Sequence, residues 1–560
     1  LCTTALLPLA GHDPTLVIEW LPGTGPMSFG LGVTSLGAAL VTTWVAFLAL
    51  LAGSSMENEE RPLSLALMLV ALSAANAAFL TEHFLARYVA LEVVALAIAL
   101  APLVELKGDE GGRGFWSVYI ALRLGDVGLL TAILILFDAS STLQITPALE
   151  TAGALGSPAL GWVIFGLLLA VWVKLGNWPL HLWMGWGRAL NLRTQAWLFA
   201  TVMPNLGAYL LYRVGSIIVP SMAVQTLILW LGAAAAMLAV ITALTRRDLR
   251  SGLIHIAAAR GGLLVFAAAT GMKGAVWLGL LVTTPVQLLL LLSGEALETG
   301  RASLLGRTAQ GVFGLSGLTL AGVGLLITWW GRQAGVPLDA LFVAEAAVAL
   351  VAVWVLREAG RSQEQGAEVR SRPAQWAVMA ILGFVTLVAV LNYGALIEWL
   401  MEAAGMAELR SPSLIALLSY LVTAPALLFT LVLVLVIWQM QRRARIRVHL
   451  PGPADGETVE AAYDLQEGLT EAARALRAIV EVGFLEQIII LSVRGVVDGA
   501  RLTYQFVEQE GLEGLVRRVV QGVLAMSDAV RRRHTGLLRR NLLWIPLSLT
   551  LALVAALVLW

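Results

Sequence analysis

The stretch that decides the fold is Val171-Trp172-Val173-Lys174-Leu175-Gly176-Asn177-Trp178-Pro179-Leu180-His181-Leu182-Trp183. It ends an apolar run that begins near Leu160 and is long enough to enter a membrane. A lysine at the centre of such a helix costs about 2.5–3.5 kcal/mol on insertion scales, and a proline five residues later breaks the helix. This combination is typical of ion-translocating membrane proteins. A lysine that reaches the interface before a helix-ending proline has the same pattern.

The composition of the chain indicates a membrane protein. Of its 560 residues, 59% are hydrophobic and 13% are charged, and the mean hydropathy is +0.82. These values exclude an ordinary soluble enzyme and predict an all-α, polytopic protein of the lipid bilayer. The formal net charge is zero, so no nucleic-acid partner is indicated.

The residue types that usually build cofactor and metal sites give no signal. Cys2 is the single cysteine, which leaves no disulfide within the sequence and no cysteine-ligated metal or iron–sulfur site. The six histidines show no metal-ligand spacing. We therefore expect no cofactor and no metal, and whether the chain is part of an enzyme stays open.

Apolar runs of about 20 residues predict about fourteen membrane-spanning helices. They lie near residues 28–52, 63–81, 84–106, 115–137, 159–178, 194–215, 222–244, 252–270, 273–293, 309–330, 338–357, 374–396, 412–438 and 543–560. We expect residues 1–27 to be the end of an upstream helix and an external loop. Residues 28–245 and 246–440 are expected to form two transmembrane halves.

The charges between the spans predict the orientation. Every second loop is basic, from Lys107 and Arg113 to Arg442-Arg443-Ala444-Arg445, and the opposite loops are short or acidic. This positive-inside pattern places the basic loops in the cytoplasm, as in a bacterial-type inner membrane. The segment 441–541 is amphipathic and basic at both ends, so it is expected to lie along the cytoplasmic surface before a final anchor at 542–560. It is either a lateral, partner-binding helix or a peripheral soluble loop.

Two carboxylates and one lysine lie inside predicted spans. Glu92 stands in the middle of 84–106, and Asp126 stands near the middle of 115–137. Neither is expected to be ionised in lipid without a partner, and Lys174 is the obvious partner. A carboxylate and an amine whose proton affinities depend on their separation form a proton switch, so Glu92 and Lys174 are predicted to carry protons. A static ion pair, or Asp126 paired with Arg123, is the alternative.

A second basic residue precedes a proline in the other half of the chain. Arg332 is followed by Pro337 at the interval that separates Lys174 from Pro179. Paired broken helices with a basic residue occur in inverted-repeat transporters. The coincidence predicts helix breaks at Pro179 and Pro337 and an internal repeat whose orientation is not defined.

Motifs along most of the chain share one family pattern. They are Tyr88–Val94 around Glu92, Arg123–Gly128 around Asp126, Lys174 with Pro179, His181 and Trp183, Arg247–Arg250 followed by Gly261-Gly262, and Arg533–Arg539 before the last span. Together they resemble the antiporter-like subunits of respiratory complex I and their Mrp-type relatives, above all the large distal subunit with a lateral helix. The resemblance implies two inverted five-helix repeats, each with a broken helix, plus a lateral helix.

The resemblance also implies proton transfer through the middle of the membrane, with Glu92 tuning Lys174. Several family positions differ in this chain. The histidine after the break falls on or near Phe199, the second-half lysine falls near Val286-Gln287, and the terminal lysine falls on Arg332. An arginine stays charged. His255 is then the nearby titrating candidate for the central relay.

The sequence therefore predicts a proton-translocating membrane subunit of a complex I-like NADH-quinone oxidoreductase or a related assembly. Its expected partners are other membrane subunits, the lipid bilayer and protons. A degenerate structural half-channel subunit is an alternative, since central titrating residues are missing. An Mrp-type cation/proton antiporter, or the membrane partner of an inorganic-carbon uptake complex or a membrane-bound hydrogenase, also remains open.

Overall fold

The structure is a computed structural model of the chain. It describes residues 15–19, 25–53, 62–219, 221–246, 248–299, 304–360, 373–406, 409–424 and 426–428, with the isolated positions 521 and 525. The chain forms two compact units, residues 1–479 and 480–560, and every element below belongs to the first. The predicted segment 441–541 lies outside the described residues except for those two positions, and the predicted anchor 542–560 lies outside them entirely.

Long apolar helices make up almost all of the described part, after a hairpin of the antiparallel strands β1 (Thr15–Ile18) and β2 (Met27–Gly30). The helices are, in chain order, α1 (Val33–Gly53), α2 (Pro62–Leu80), α3 (Phe84–Glu105), α4 (Asp109–Ser140), α5 (Ile145–Thr151), α6 (Ser157–Leu175), α7 (Leu192–Ala196), α8 (Met203–Val214), α9 (Met222–Thr245), α10 (Leu249–Ala269), α11 (Lys273–Thr299), α12 (Leu304–Gln333), α13 (Leu338–Gly360), α14 (Pro373–Leu391), α15 (Tyr393–Ala403) and α16 (Leu414–Thr423).

The described part contains eleven helices that are long and apolar enough to cross a membrane. Eleven of the predicted spans each overlap one of them, which confirms the predicted all-α, polytopic membrane class. The total of fourteen spans and the two inverted repeats stay predictions. Helix α10 lies at the centre, because every one of its residues except Arg250 is buried.

The predicted span 194–215 is not one continuous helix. It consists of α7, a π-helical stretch (Trp197–Thr201) and α8. The amide of Val202 donates to the carbonyl of Trp197 at 3.2 Å, a bond that closes a π turn and accommodates an extra residue. Pro204 stands in the first turn of α8, where its missing N–H has no partner to lose.

The stretch around Lys174 leaves helical geometry at Gly176, three residues before Pro179. Gly176 has a φ of +66°, and a Cβ there would collide with the sulfur of Met184, so this turn requires glycine. The indole of Trp183 donates to the carbonyl of Val173 at 3.0 Å, which also accepts from the Gly176 amide at 3.0 Å. A 3₁₀ helix then runs from Leu180 to Ala189, and the break places Lys174 at the end of a helix rather than within one.

Pro337 has a different position from Pro179. It lies in the short turn 334–337 between α12 and α13, which have 30 and 23 residues and are both long enough to cross a membrane. Gly335, with a φ of +73°, makes this turn. The expected second helix break is therefore a connection between two full-length helices.

Glycines set the distance between α4 and α6. A Cβ at Gly128 would lie 2.8 Å from the carbonyl oxygen of Gly166, and a Cβ at Gly166 would collide with the carbonyl oxygen of Gly128. One turn away, a Cβ at Gly125 would lie 3.0 Å from Val173. Small residues of this kind let helix backbones touch in a membrane protein. The contact matters for function because α4 carries Asp126 and α6 carries Lys174.

We expect Gly166→Ala to lower the melting temperature of the purified chain in detergent, because overpacking a tight contact costs about 1–3 kcal/mol. Gly161→Ala is the matched control on the same helix, since a Cβ there meets nothing within 4 Å. The control is expected to melt at the wild-type temperature or above it. Equal melting temperatures for the two variants, measured by circular dichroism, would contradict the close contact of α4 and α6.

Glu82, in the link between α2 and α3, joins several elements at one end of the described part. Its main chain bonds to Ser28 and Ile145, each at 2.8 Å, and its side chain accepts a hydrogen bond from Nη2 of Arg213 at 2.6 Å. Burial alone raises the pKa of the Glu82 carboxyl, but the hydrogen bonds and the charge of Arg213 outweigh burial and hold the pKa below its ordinary value of 4.5. The carboxylate therefore stabilises the fold.

A carboxyl whose pKa is lower in the folded state stabilises the protein above its unfolded pKa, and this stabilisation is lost as the pH falls through the folded pKa. We expect Glu82→Gln to melt at a lower temperature than the wild type at neutral pH. The difference should shrink as the pH falls well below 4.5. A difference that stays constant over that range, in parallel melting curves, would show that the charge of Glu82 has no part in it.

Candidate functional site

A buried ion pair forms the centre of the site. Nζ of Lys174 lies 2.5 Å from Oδ1 of Asp126, and the two side chains are 0% and 2% exposed. Lys174 stands in the last turn of α6, where the helix dipole favours a cation. The second carboxylate oxygen of Asp126, Oδ2, accepts no hydrogen bond in the described part of the chain. Burying a lysine this deep is costly, and Asp126 supplies its counter-charge.

Glu92, which was predicted to pair with Lys174, pairs with Arg123 instead. Arg123 lies on α4 one turn before Asp126, and its Nη1 is 4.0 Å from Oδ2 of Asp126. The physical reason is the close contact of α4 and α6, which brings Asp126 rather than Glu92 to the lysine. Four side chains of alternating charge therefore form a series that crosses α3, α4 and α6. In order, they are Glu92, Arg123, Asp126 and Lys174.

Arg260, on the central helix α10, is a buried cation that the sequence interpretation missed. It is 4% exposed, and its Nη1 donates to Oε1 of Gln287 at 2.6 Å. Its Nη2 lies 3.3 Å from Oδ1 of Asn205, which also accepts a hydrogen bond from Thr284 at 2.9 Å. No carboxylate in the described part forms an ion pair with it. An arginine inside the predicted span 252–270 was the available signal, the same signal that selected Glu92.

Asn177 is a buried amide on the broken segment, packed against the central helix α10. It is fully buried, and neither atom of its amide has a hydrogen-bond partner in the described part of the chain. Its Oδ1 packs against Gly261, the neighbour of Arg260, at a place where a Cβ would collide with it. Buried amides without protein partners are ordinarily hydrogen-bonded to water. The break thus places a buried polar group against the central helix α10, at Gly261.

His255 lies at the loop end of α10. Its Nδ1 is 2.7 Å from the carbonyl oxygen of Ser251, and its Nε2 is 3.2 Å from Arg246. Its ring also packs edge-on against the ring of His181, with centroids 4.7 Å apart. Two buried imidazoles therefore meet beside the 3₁₀ segment.

Arg332 lies apart from these groups, at the exposed end of α12. Its guanidinium carbon is 5.5 Å from the centre of the Tyr420 ring. The hydroxyl of Tyr420 donates to Oε1 of Glu345 at 2.6 Å, and Glu345 is 2% exposed. Glu345 was not predicted, although it is an acidic residue inside the predicted span 338–357.

The remaining family positions carry residues that do not titrate. Phe199 falls within the π-helical stretch, Val286 is buried, and the amide of Gln287 holds Arg260. In the described part, no group of three or more His, Cys, Asp or Glu residues could hold a metal ion. The chemistry that the site supports is the movement of charge between acids, amines and amides.

Residues 81–357 match the family described as NADH:quinone oxidoreductase/Mrp antiporter, transmembrane region. This segment, which is just under half of the chain, is similar to that family. The matched segment carries all four charges of the series, and it also carries Arg260 and Glu345. The predicted resemblance to the antiporter-like subunits is confirmed.

The curated relatives are similar over part of their length. NAD(P)H-quinone oxidoreductase subunit 5 of the Adiantum capillus-veneris chloroplast is 27% identical over 198 residues, which is 34% of this chain and 27% of that protein. NADH-quinone oxidoreductase subunit L of Campylobacter jejuni is 27% identical over 197 residues, which is 35% of this chain and 33% of that protein. The chain thus spans a third or less of the length of these relatives.

A solved structure shares the fold more widely. The Mrp complex from Dietzia sp. contains a chain that matches with a TM-score of 0.66 and 18% identity, over 88% of this chain and 59% of that chain. The antiporter-like membrane subunit fold therefore extends beyond the segment that the family match covers.

The pairing of Lys174 with Asp126 can be separated from a pairing with Glu92 by stability measurements. We expect Asp126→Asn to lower the free energy of unfolding by about 3–5 kcal/mol, because it leaves a buried ammonium without its counter-charge. Glu92→Gln should cost much less, since its partner Arg123 is 30% exposed and can be solvated. The reverse order of the two melting temperatures would mean that Glu92 is the partner of Lys174.

Proposed function

We propose that the chain is a proton-translocating, antiporter-like membrane subunit of a multisubunit, complex I-like assembly. The observation that carries this proposal is the series of four alternating charges that ends in the fully buried Lys174. Ionisable residues inside a membrane are costly and are kept mainly along ion pathways. A purely structural ion pair would need only Asp126 and Lys174.

The series can work as a switch by exchange of ion-pair partners. Glu92 is 17% exposed, so it is the member that protons reach most easily. Protonation of Glu92 would release Arg123, which already lies 4.0 Å from the free oxygen of Asp126. Arg123 would then compete with Lys174 for Asp126. Because an unpaired buried ammonium is unstable, Lys174 would give up its proton.

The proton released by Lys174 has a polar route towards the middle of the protein. Asn177 follows on the broken segment, and its amide packs against Gly261, which neighbours Arg260 on α10; Arg260 itself bonds to Gln287 and Asn205. Amides and water can pass a proton along hydrogen bonds, whereas the guanidinium keeps its charge. Arg260 therefore acts in this scheme as a fixed positive charge that the proton must pass. His255 beside His181 is a second titrating pair within the same half.

A structural half-channel subunit is the second candidate, and Arg260 is the observation that favours it. A fixed cation in the centre repels a proton, and the described part offers it no neutralising carboxylate within ion-pair distance. In this case Glu92 and Lys174 would exchange protons with one side without passing them on. An Mrp-type cation/proton antiporter, an inorganic-carbon uptake complex and a membrane-bound hydrogenase are further assemblies that would suit such a subunit.

The proposed surroundings follow from the loops. We place the basic loops on the cytoplasmic side of an inner membrane, because Lys107, Arg188 and Arg246 follow the positive-inside pattern of alternate loops. The partners in this proposal are other membrane subunits, lipid and protons. Identification of the chains that purify with the protein decides the kind of assembly, since an NADH-oxidising arm, a hydrogenase and a carbonic-anhydrase-like subunit are chemically distinct.

Proton transport by the purified complex in liposomes tests the function. With the pH inside the vesicles followed by a dye, we expect Lys174→Met to abolish proton movement and Glu92→Gln to slow it strongly, while the complex assembles normally. Lys107→Met is the matched control, because Lys107 lies in an exposed loop, and it should keep the wild-type rate. Wild-type proton movement in both Lys174→Met and Glu92→Gln would rule out transport through this chain and favour the structural role.

A further inference from the structure

Glu345 differs from the other buried carboxylates of the described part. Asp126 pairs with Lys174 at 2.5 Å, Glu295 lies 3.7 Å from Arg250, and Glu358 lies 2.6 Å from Arg357. Glu345 has no cation within 4.0 Å in the described residues, and its nearest polar contact is the Tyr420 hydroxyl at 2.6 Å. Its side chain is nonetheless buried, with 2% exposure of the residue.

A buried carboxyl with a hydroxyl partner can exist in two protonation states at comparable cost. Ionising it in an apolar site is expensive when no cation is in contact, so it binds a proton readily. The Tyr420 hydroxyl stabilises the ionised form by donating to Oε1, and it can rotate to accept from the protonated form. Such a group can bind and release a proton, whereas Glu358 has a guanidinium, that of Arg357, at 2.6 Å.

The surroundings connect Glu345 to one surface. It lies seven residues after Leu338, where α13 begins, so at about 1.5 Å per residue it is roughly 10 Å below the helix end. Arg332 is exposed in the last turn of α12, just before the connection 334–337 that leads into α13. Its guanidinium lies over the Tyr420 ring. From the surface inwards, the order is therefore Arg332, Tyr420 and Glu345.

One turn beyond Glu345, α13 reaches a cavity beside the central helix. Val348, one turn along α13 on the same helix face, lines a cavity between α10, α11, α12 and α13. Arg260 and Thr283 line the opposite wall of this cavity, and the rest of the lining is apolar. Along α13, Glu345 thus lies between the helix end near Arg332 and Val348, which lines the cavity that reaches Arg260.

We propose that Glu345 is the proton-binding group at the Arg332 end of the second transmembrane half, with Tyr420 as its relay. The inference rests on the proposed proton transport and adds a residue to it. Arg332 stays protonated, so it cannot accept or release the proton itself. In the transfer step, a hydronium ion at the surface near Arg332 gives a proton to the Tyr420 oxygen and becomes water, as the Tyr420 hydroxyl gives its own proton to Glu345. Tyr420 is unchanged, Glu345 becomes neutral, and release runs the step in reverse.

The test uses the intact complex in liposomes. Glu345→Gln keeps the shape and the oxygen that accepts from Tyr420 but cannot take up a proton, so proton movement should fall by roughly 100-fold or more. Glu358→Gln is the matched control, because Glu358 is equally buried on the same helix but paired with Arg357. The control should transport protons at close to the wild-type rate. Tyr420→Phe should slow transport by roughly tenfold, since one hydrogen bond to a charged group is lost.

An infrared difference spectrum between acidic and alkaline pH provides a second readout. The groups that face Glu345 are Tyr420 from α16 and Arg332 from α12. We expect a protonated-carboxyl band that disappears in Glu345→Gln and shifts in Tyr420→Phe. A spectrum unchanged by Glu345→Gln would overturn the assignment, as would equal loss of transport in Glu345→Gln and Glu358→Gln.

The same experiment separates this inference from the function on which it rests. If Lys174→Met stops proton movement and Glu345→Gln does not, Glu345 is no part of the pathway and the proposed function stands. If neither substitution affects proton movement, the proposed function itself fails.

Discussion

The buried ion pair of Lys174 and Asp126 is the interaction on which the rest of the structure depends. Taking both charges out of water is costly, and only a short and well-placed contact offsets that cost. Two features supply the contact: the break at Gly176, which ends α6 one residue beyond the lysine, and the glycines that let α4 and α6 touch. The ion pair of the site therefore depends directly on how α4 and α6 pack against each other.

Several buried or central charged positions of this chain are arginines rather than residues that can release a proton. Arg123 connects two carboxylates, Arg260 occupies the centre, and Arg332 stands at the far end. A guanidinium holds its charge throughout any cycle, so it sets the electrostatic potential of a pathway and does not carry its protons. In the proposed pathway, the exchangeable protons are left to Glu92, Asp126, Lys174 and the imidazoles, with Glu345 beyond the centre.

The spans could be predicted from the sequence because a bilayer imposes one length on every apolar helix. The residues inside them could be predicted as well, since a charge within such a run is rare enough to be selected by itself. Arg260 and Glu345 meet that criterion as well, but they lie outside the motifs that mark the resemblance and were not predicted. Pro204 with the π turn, and the ordinary connection at Pro337, depend on hydrogen bonds that the residue order does not specify.

What the sequence by itself determined is the membrane class, most of the spans, the break near Pro179 and the presence of Glu92, Asp126 and Lys174 within the bilayer. Only the tertiary structure decided which of these charges meet. Which residues form an ion pair depends on how neighbouring helices are rotated and how closely they pack. The contact between Gly128 and Gly166 places Asp126 beside Lys174. Glu92 instead pairs with Arg123. Composition and spacing describe one helix at a time, whereas an ion pair between helices is a property of their packing.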